Sequence, residues 1–266
     1  MRYIYDNDLH IHSKLSFCSR DENQTNERIL EYAKENNLKT ICLTDHFWDE
    51  KVPSMRSWYF GQNLEHIKKA LPLPQTEGIE FLFGCETEMD KFLTLGIAKE
   101  TIDEFDFIVV PTTHLHMRGF TIDSEDNSYA KRAELWVKRL DALLNMDLPF
   151  HKMGLAHITC NLVGPTREEY LEVLKLIPEN EIERLFKKSA QVGMGIELNT
   201  SALNFASAEE APIVLKFYKI AKQCGCRFYV GSDAHHPDAL DRAKSVIERV
   251  IDQLELTEDD KFHITR

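Results

Sequence analysis

The sequence predicts an α/β fold built on parallel strands, and three observations carry that prediction. Strand and helix signals alternate along the chain, no linker interrupts the alternation, and side chains with metal-binding chemistry recur at the C-terminal ends of the apolar strands. Alternation of this kind implies a parallel sheet with helical crossovers. A ring of parallel strands brings its C-terminal ends to one mouth, where residues far apart in sequence can share a site.

The apolar or β-branched runs are Tyr3–Ile11, Thr40–Thr44, Ile79–Cys85, Phe105–Thr112, Met153–Ala156, Met194–Leu198 and Arg227–Val230. After the first, Ile29, Leu30, Ala33 and Leu38 form a helical stripe opened by Thr25 and closed near Asn36-Asn37. A second stripe, Leu135, Trp136, Leu140, Leu143 and Leu144, follows Asp123-Ser124. Tyr170, Leu171, Leu174 and Ile177 lead into Pro178, which lacks the N–H a helix needs and so ends or kinks it. Val214, Leu215, Tyr218 and Ala221 run to Cys224-Gly225, a helix C-cap directly before the last strand. Two irregular stretches, Trp48–Gly61 and Leu115–Asp126, each follow a candidate ligand, where loops shape access to a site. No Gly/Ser/Pro-rich linker, fixed repeat or low-complexity segment appears, so one domain over residues 1–266 is expected.

Hydrophobic content of 43% and charged content of 29% suit a globular chain with a substantial core. Net charge is 32 minus 44, or −12, which argues against long nucleic-acid partners. The six cysteines show no zinc-finger pairing and fit reduced thiols. The N-terminus reaches charged residues at once, and no run approaches the ~18 apolar residues of a membrane span. A cytoplasmic protein without membrane contact is expected.

Side chains in a strand alternate, so His10-Ile11-His12 sets two imidazoles on one face. Asp233-Ala234-His235 repeats the geometry with a carboxylate, and Gly231-Ser232 before it permits close backbone approach. His46 follows Ile41–Asp45, where Asp45 can also cap a following helix. Glu86 ends its strand with Glu88 as a rival on the same face; His114 and His157 end theirs, with His116 open as an alternate to His114 or a substrate contact. Of the remaining histidines, His66 sits in a helical stretch as a solvated residue and His151 lies at the wrong strand end. Mixed histidine and carboxylate donors suit zinc, manganese or iron better than calcium or magnesium, and hydrolysis is the default chemistry.

With these motifs in order, the chain resembles the polymerase-and-histidinol-phosphatase (PHP) superfamily over nearly its whole length. The motifs that carry the resemblance are Asp8-Leu9-His10-Ile11-His12, Thr44-Asp45-His46, His114 after an apolar strand, and Ser232-Asp233-Ala234-His235, with Glu86 and His157 between them. The resemblance implies a distorted (β/α)7 TIM-like barrel with the metal site at the C-terminal ends of the strands. It also implies a division among three ions: His10, His12, Glu86 and Asp233 on the first, His46 and His235 on the second, and Glu86, His114 and His157 on the third. Where many members carry a further histidine for the second ion, this chain has Cys18. A thiolate is a competent zinc or iron ligand, and the alternative is a side chain that only fills space.

The expected function is hydrolysis of a small phosphomonoester, histidinol-phosphate-like or another phosphorylated metabolite, by a hydroxide bridging two of two or three Zn, Mn or Fe ions. Glu86, Asp233 and His235 are the candidate catalytic residues, and Arg20, Arg118 and Lys14 the candidate phosphate contacts. Competing readings are a phosphodiesterase or exonuclease on short nucleotides, and a non-catalytic metal-stabilised regulatory domain.

Overall fold

The structure, a computed structural model, describes residues 1–53, 56–205, 207 and 209–265. Residues 54 and 55 of the expected Trp48–Gly61 loop lie outside them. The strands are β1 (Asn7–Ile11), β2 (Thr40–Leu43), β3 (His46–Phe47), β4 (Glu80–Thr87), β5 (Phe107–Pro111), β6 (Met153–Ala156), β7 (Gly195–Asn199) and β8 (Phe228–Gly231). All pairings are parallel in the order β1-β2-β4-β5-β6-β7-β8. The two-residue β3 continues the path of β2 along β4, pairing His46 with Glu86. Each of the seven expected strands is present; β3 was not anticipated because two residues carry no periodicity.

β8 returns to β1 and nearly closes the barrel. The Asp233 N–H donates to the His10 carbonyl at 2.7 Å and the His12 N–H to the Ala234 carbonyl at 3.1 Å. Lower in the seam, Asn7 Oδ1 accepts from the Val230 N–H at 3.0 Å and Asp8 Oδ1 from the Ser232 N–H at 2.9 Å. Asp8, first residue of the leading motif, therefore joins strands rather than facing the mouth.

Helices α1 (Asn26–Glu35), α2 (Leu64–Ile67), α3 (Tyr129–Leu144), α4 (Tyr170–Leu176), α5 (Glu179–Val192), α6 (Thr200–Leu203), α7 (Glu210–Gln223) and α8 (Pro237–Gln253) complete the fold. Thr25 caps α1 by accepting from the Arg28 N–H, and Pro178 separates α4 from α5. α8 escaped the sequence reading, although Leu240, Ala243, Val246, Ile247, Val250 and Ile251 bury one stripe at helical spacing. Among the described residues, no helix is long and apolar enough to cross a membrane, and all six cysteines are free.

The lumen holds Leu9, Cys42, Leu82, Phe107, Val109, Ala156 and Tyr229, with Phe262 entering from the C-terminal segment. Glycines on the same inward faces make room for these rings. A Cβ on Gly154 would stand 2.5 Å from the Tyr229 ring, and one on Gly195 2.9 Å from Phe262. Period two then carries each inward face up to the mouth: Leu82, Gly84, Glu86 on β4, and Gly195, Glu197, Asn199 on β7. In β1 a register shift between Asp8 and Ile11 breaks the alternation. Leu9 packs in the lumen and Ile11 in the outer core, and the extra residue of the bulge lets His10 face inward as well.

Candidate metal centre

All eight strand-end residues converge. The His12 ring stacks on His235 at 4.0 Å and lies 4.5 Å from His46. His10 is 5.1 Å from His12 and 6.0 Å from His157, which stacks on His114 at 4.7 Å. Glu86 stands between the two ends of this row. Its Oε2 lies 2.8 Å from His46 Nδ1, 3.4 Å from His12 Nε2 and 3.6 Å from His10 Nε2, while Oε1 lies 3.4 Å from His157 Nε2. Asp233 Oδ1 sits 3.3 Å from His12 Nε2 and 3.6 Å from His10 Nε2. Among the described residues, three groups have donor atoms close enough to share an ion: His12, His46 and His235; His10, His12 and Glu86; and Glu86, His114 and His157.

The far nitrogen of five rings is held by a partner that fixes its tautomer. His10 Nδ1–H donates to Glu197 Oε1 at 2.6 Å and His114 Nδ1–H to Glu88 Oε2 at 2.7 Å, because a carboxylate can only accept. His235 Nδ1–H donates to the Asp233 carbonyl at 2.9 Å. Ser16 Oγ donates to Asp45 Oδ1, so it accepts from His12 Nδ1–H at 2.9 Å. Thr113 Oγ1 donates to the His157 carbonyl and likewise accepts from His157 Nδ1–H at 3.0 Å. Each Nε2 is thereby a lone pair turned inward, as ligating imidazoles require.

These lone pairs have no proton between them. His10 Nε2 and His12 Nε2 are 3.1 Å apart, and Glu86 Oε1 and His46 Nδ1 are buried without a hydrogen-bond partner, the 2.8 Å approach of His46 to Glu86 being out of line for one. Converging acceptors of this kind repel unless cations lie among them, so the donor set fits metal ions. Burial would raise the Glu86 carboxyl, but positive charge on His46 and His10 holds it well below the usual range, and positive charge at His10 likewise outweighs burial for Asp233; both carboxylates are set to face cations, which ions supply once the imidazoles are neutral. Burial, then repulsion from His235 and His46, keeps His12 neutral.

Two members sit in left-handed backbone, His157 at φ 24° and Asp233 at φ 54°. Non-glycine residues there carry strain that the surrounding structure must hold, a pattern common at functional sites. The mouth opens on one side: the Asp233 and His235 side chains are 21% and 27% exposed, whereas His10 and His12 are fully buried.

Several residues take places that the sequence left open. Glu88 does not rival Glu86; it orients His114 and pairs with Arg139 at 3.1 Å. Asp45 caps no helix and instead accepts from the Ser13 N–H and Ser16 Oγ, organising the turn that supports His12. His66 is half-buried, not solvated, with Nε2 2.8 Å from the Leu15 carbonyl. Cys18 lies on an exposed turn close enough to the His235 and His46 rings for them to act on its thiol. Burial raises that thiol and the two histidines more than offset it, bringing it to about 6. Of the three candidate phosphate contacts, Lys14 pairs with Glu22 at 3.1 Å and Arg118 donates to Asn127 at 2.8 Å, neither touching a strand-end residue. Arg20 is exposed beside Ser19, whose Oγ donates to the His235 carbonyl. The sequence reading missed Glu197 and Arg139. Gly195-Ile196-Glu197 repeats the offset of Gly84-Cys85-Glu86, and Arg139 falls on the apolar stripe of α3; both signals were present.

The comparisons with known proteins accord with this geometry. A probable phosphatase of Thermoanaerobacter sp. is 26% identical over 233 residues, covering 85% of this chain and 78% of the relative. Another, of Caldanaerobacter subterraneus, is 26% identical over 78% of this chain and 69% of its own length. A histidinol phosphate phosphatase of Lactococcus lactis, solved with zinc, L-histidinol and phosphate, shares the fold at TM-score 0.51 and 18% identity, covering 92% of this chain and 93% of that one. A putative histidinol phosphatase of Listeria monocytogenes does so at TM-score 0.57 and 17% identity, over 90% of this chain and 98% of that one. The family model described as PHP domain matches residues 8–201, most of the chain, and the protein belongs to the PHP domain family.

Proposed function

We propose that this protein is a metal-dependent phosphatase that hydrolyses a small phosphomonoester to an alcohol and inorganic phosphate. Its family and its phosphatase relatives make it a phosphoester hydrolase. The observation that carries the metal-dependent reading is Glu86, whose two oxygens face separate sets of inward-turned imidazoles.

His10, His12, Glu86 and Asp233 would hold one ion; His46, His235 and Cys18 a second, with His12 in reach; Glu86, His114 and His157 a third. Zinc, manganese and iron suit these donors. Bound there, such ions supply Lewis acidity that lowers the pKa of water and offsets charge on phosphoryl oxygens. The chain's own residues do the rest. Glu197, Ser16, Glu88, Thr113 and the Asp233 carbonyl keep protons on the outer ring nitrogens and so aim the inner ones. Ester and water enter on the Asp233 and His235 side, the accessible one. In-line attack by water forms one P–O bond as the ester P–O bond breaks; the proton that water loses passes to Asp233 or His235 and from there to the departing alkoxide.

Arg20, exposed and next in sequence to the Ser19 that bonds the His235 carbonyl, is a candidate for the phosphoryl oxygens. So are Arg56 and Arg167, whose charges, after burial and the His114 ring, help push His116 down to about 3. His116 stands edge-on to His114 at 5.3 Å and is neutral at pH 7. Lys14 and Arg118 are weaker candidates because acidic or amide partners already hold them. A histidinol-phosphate-like ester is one substrate to include, given the ligands of the Lactococcus lactis fold neighbour.

The test is turnover of p-nitrophenyl phosphate against bis(p-nitrophenyl) phosphate by protein loaded with Zn, Mn or Fe. Monoester cleavage abolished by chelation and restored by metal is expected. Cleavage of the diester alone would replace this reading with a phosphodiesterase.

A further inference from the structure

Asn199 ends β7 on the inward face that also carries Gly195 and Glu197, opposite Gly231 of β8. It is buried, 1% exposed. Its Oδ1 accepts from the Ala202 N–H at 2.9 Å and so caps α6. A carboxamide keeps its acceptor on one side and its donors on the other, so the cap decides which end is turned away from α6. That end is Nδ2, which donates to Asp233 Oδ2 at 3.4 Å. At this length the bond adds little strength, and what it supplies is direction.

Asp233 needs that direction. Its backbone is left-handed, at φ 54°, a conformation that lasts only where neighbours hold it. The backbone is held on both sides: its N–H donates to the His10 carbonyl at 2.7 Å, and its carbonyl accepts from His235 Nδ1–H at 2.9 Å. The side chain stands 21% exposed on the open side of the mouth. Its Oδ1 lies 3.3 Å from His12 Nε2 and 3.6 Å from His10 Nε2. A carboxylate turns easily about the bond that joins it to Cβ, because that torsion is broad. Left unheld, either oxygen of Asp233 could face the imidazoles. The Asn199 amide makes the two oxygens distinct: Oδ2 is engaged, and Oδ1 is turned to His10 and His12.

We propose that Asn199 is a positioning residue of the metal centre: its amide, oriented by the α6 cap, holds Asp233 so that a single oxygen is presented to the ion shared with His10 and His12. This inference rests on the metal-dependent reading and adds the residue that fixes how Asp233 binds.

Two variants separate the cap from the donor. Serine caps a helix about as well as asparagine, but its short side chain lacks the amide that reaches Asp233; alanine does neither. Affinity is read by Mn(II) titration of full-length protein against a chelator, and stability by urea unfolding of the metal-free protein. Asn199→Ser and Asn199→Ala should both bind Mn(II) about 10- to 100-fold more weakly than wild type. Asn199→Ala alone should unfold at lower urea. Wild-type affinity in Asn199→Ser would overturn the positioning role, whatever Asn199→Ala shows. So would an Asn199→Ser protein as destabilised as Asn199→Ala, since the residue would then serve the fold. Wild type that binds Mn(II) yet cleaves no phosphate ester, with binding weakened in Asn199→Ser, would keep the positioning role and overturn the phosphatase. Wild type that binds no Mn(II), zinc or iron would overturn both.

Discussion

His10 Nδ1 lies 2.6 Å from Glu197 Oε1, so the first candidate ligand of the chain is oriented by a carboxylate 187 residues away. Glu197 Oε2 also accepts from the His157 N–H at 2.5 Å, which links the sites assigned to the first and third ions through one buried residue. Glu197→Gln keeps the shape but weakens the acceptor that raises the basicity of His10. Metal affinity, read by chelator competition, should fall about 10- to 100-fold with the fold intact. Unchanged affinity would mean that Glu197 serves packing alone.

Gly231 protects this contact. A Cβ there would fall 1.8 Å from Glu197 Oε1 and 2.8 Å from the His10 Cβ. Gly231→Ala should therefore displace Glu197, lower metal content, and destabilise the protein by about 1–3 kcal/mol in denaturant unfolding. Full metal content in this variant would contradict the close approach.

The histidines were legible because a polar residue ending an apolar run stands out, and because six of the seven runs carry one at the same position. The partners that aim them were not, since they reach the site from other elements. Ser16 and Asp45 act from neighbouring turns, Glu88 extends a strand already credited with Glu86, and Arg139 comes from a helix on the outside of the barrel. Period two also failed at β1, where the bulge sets Leu9 and His10 on the inward side together.

Arg139 is buried, and besides Glu88 its guanidinium donates to the carbonyls of Thr112, Thr121, Met89 and Asp90. Arg139→Met would leave Glu88 buried without its cation and four carbonyls without their donor. A loss of about 3–5 kcal/mol is expected from urea unfolding. The same variant should lose metal at the His114 end first, since Glu88 orients that ring.

Cys18 supplies the pH prediction. With its thiol brought to about 6 by His235 and His46, the group is mostly thiolate above pH 6 and thiol below it. In metal-free protein, alkylation by iodoacetamide should reach half its maximal rate near pH 6 and level off by pH 7, well before an ordinary cysteine at about 8.5. Metal loading should protect it. A rate still climbing through pH 8, or no protection, would remove Cys18 from the second site.

The most direct measurement is metal content and p-nitrophenyl phosphate turnover on the same preparations of wild type and Glu86→Gln. Glu86 faces both imidazole sets, and a neutral amide cannot serve two cations as a carboxylate does. Wild type should carry two or more ions and turn over, while Glu86→Gln should lose most of both. Full metal content and full turnover in Glu86→Gln would contradict the shared centre.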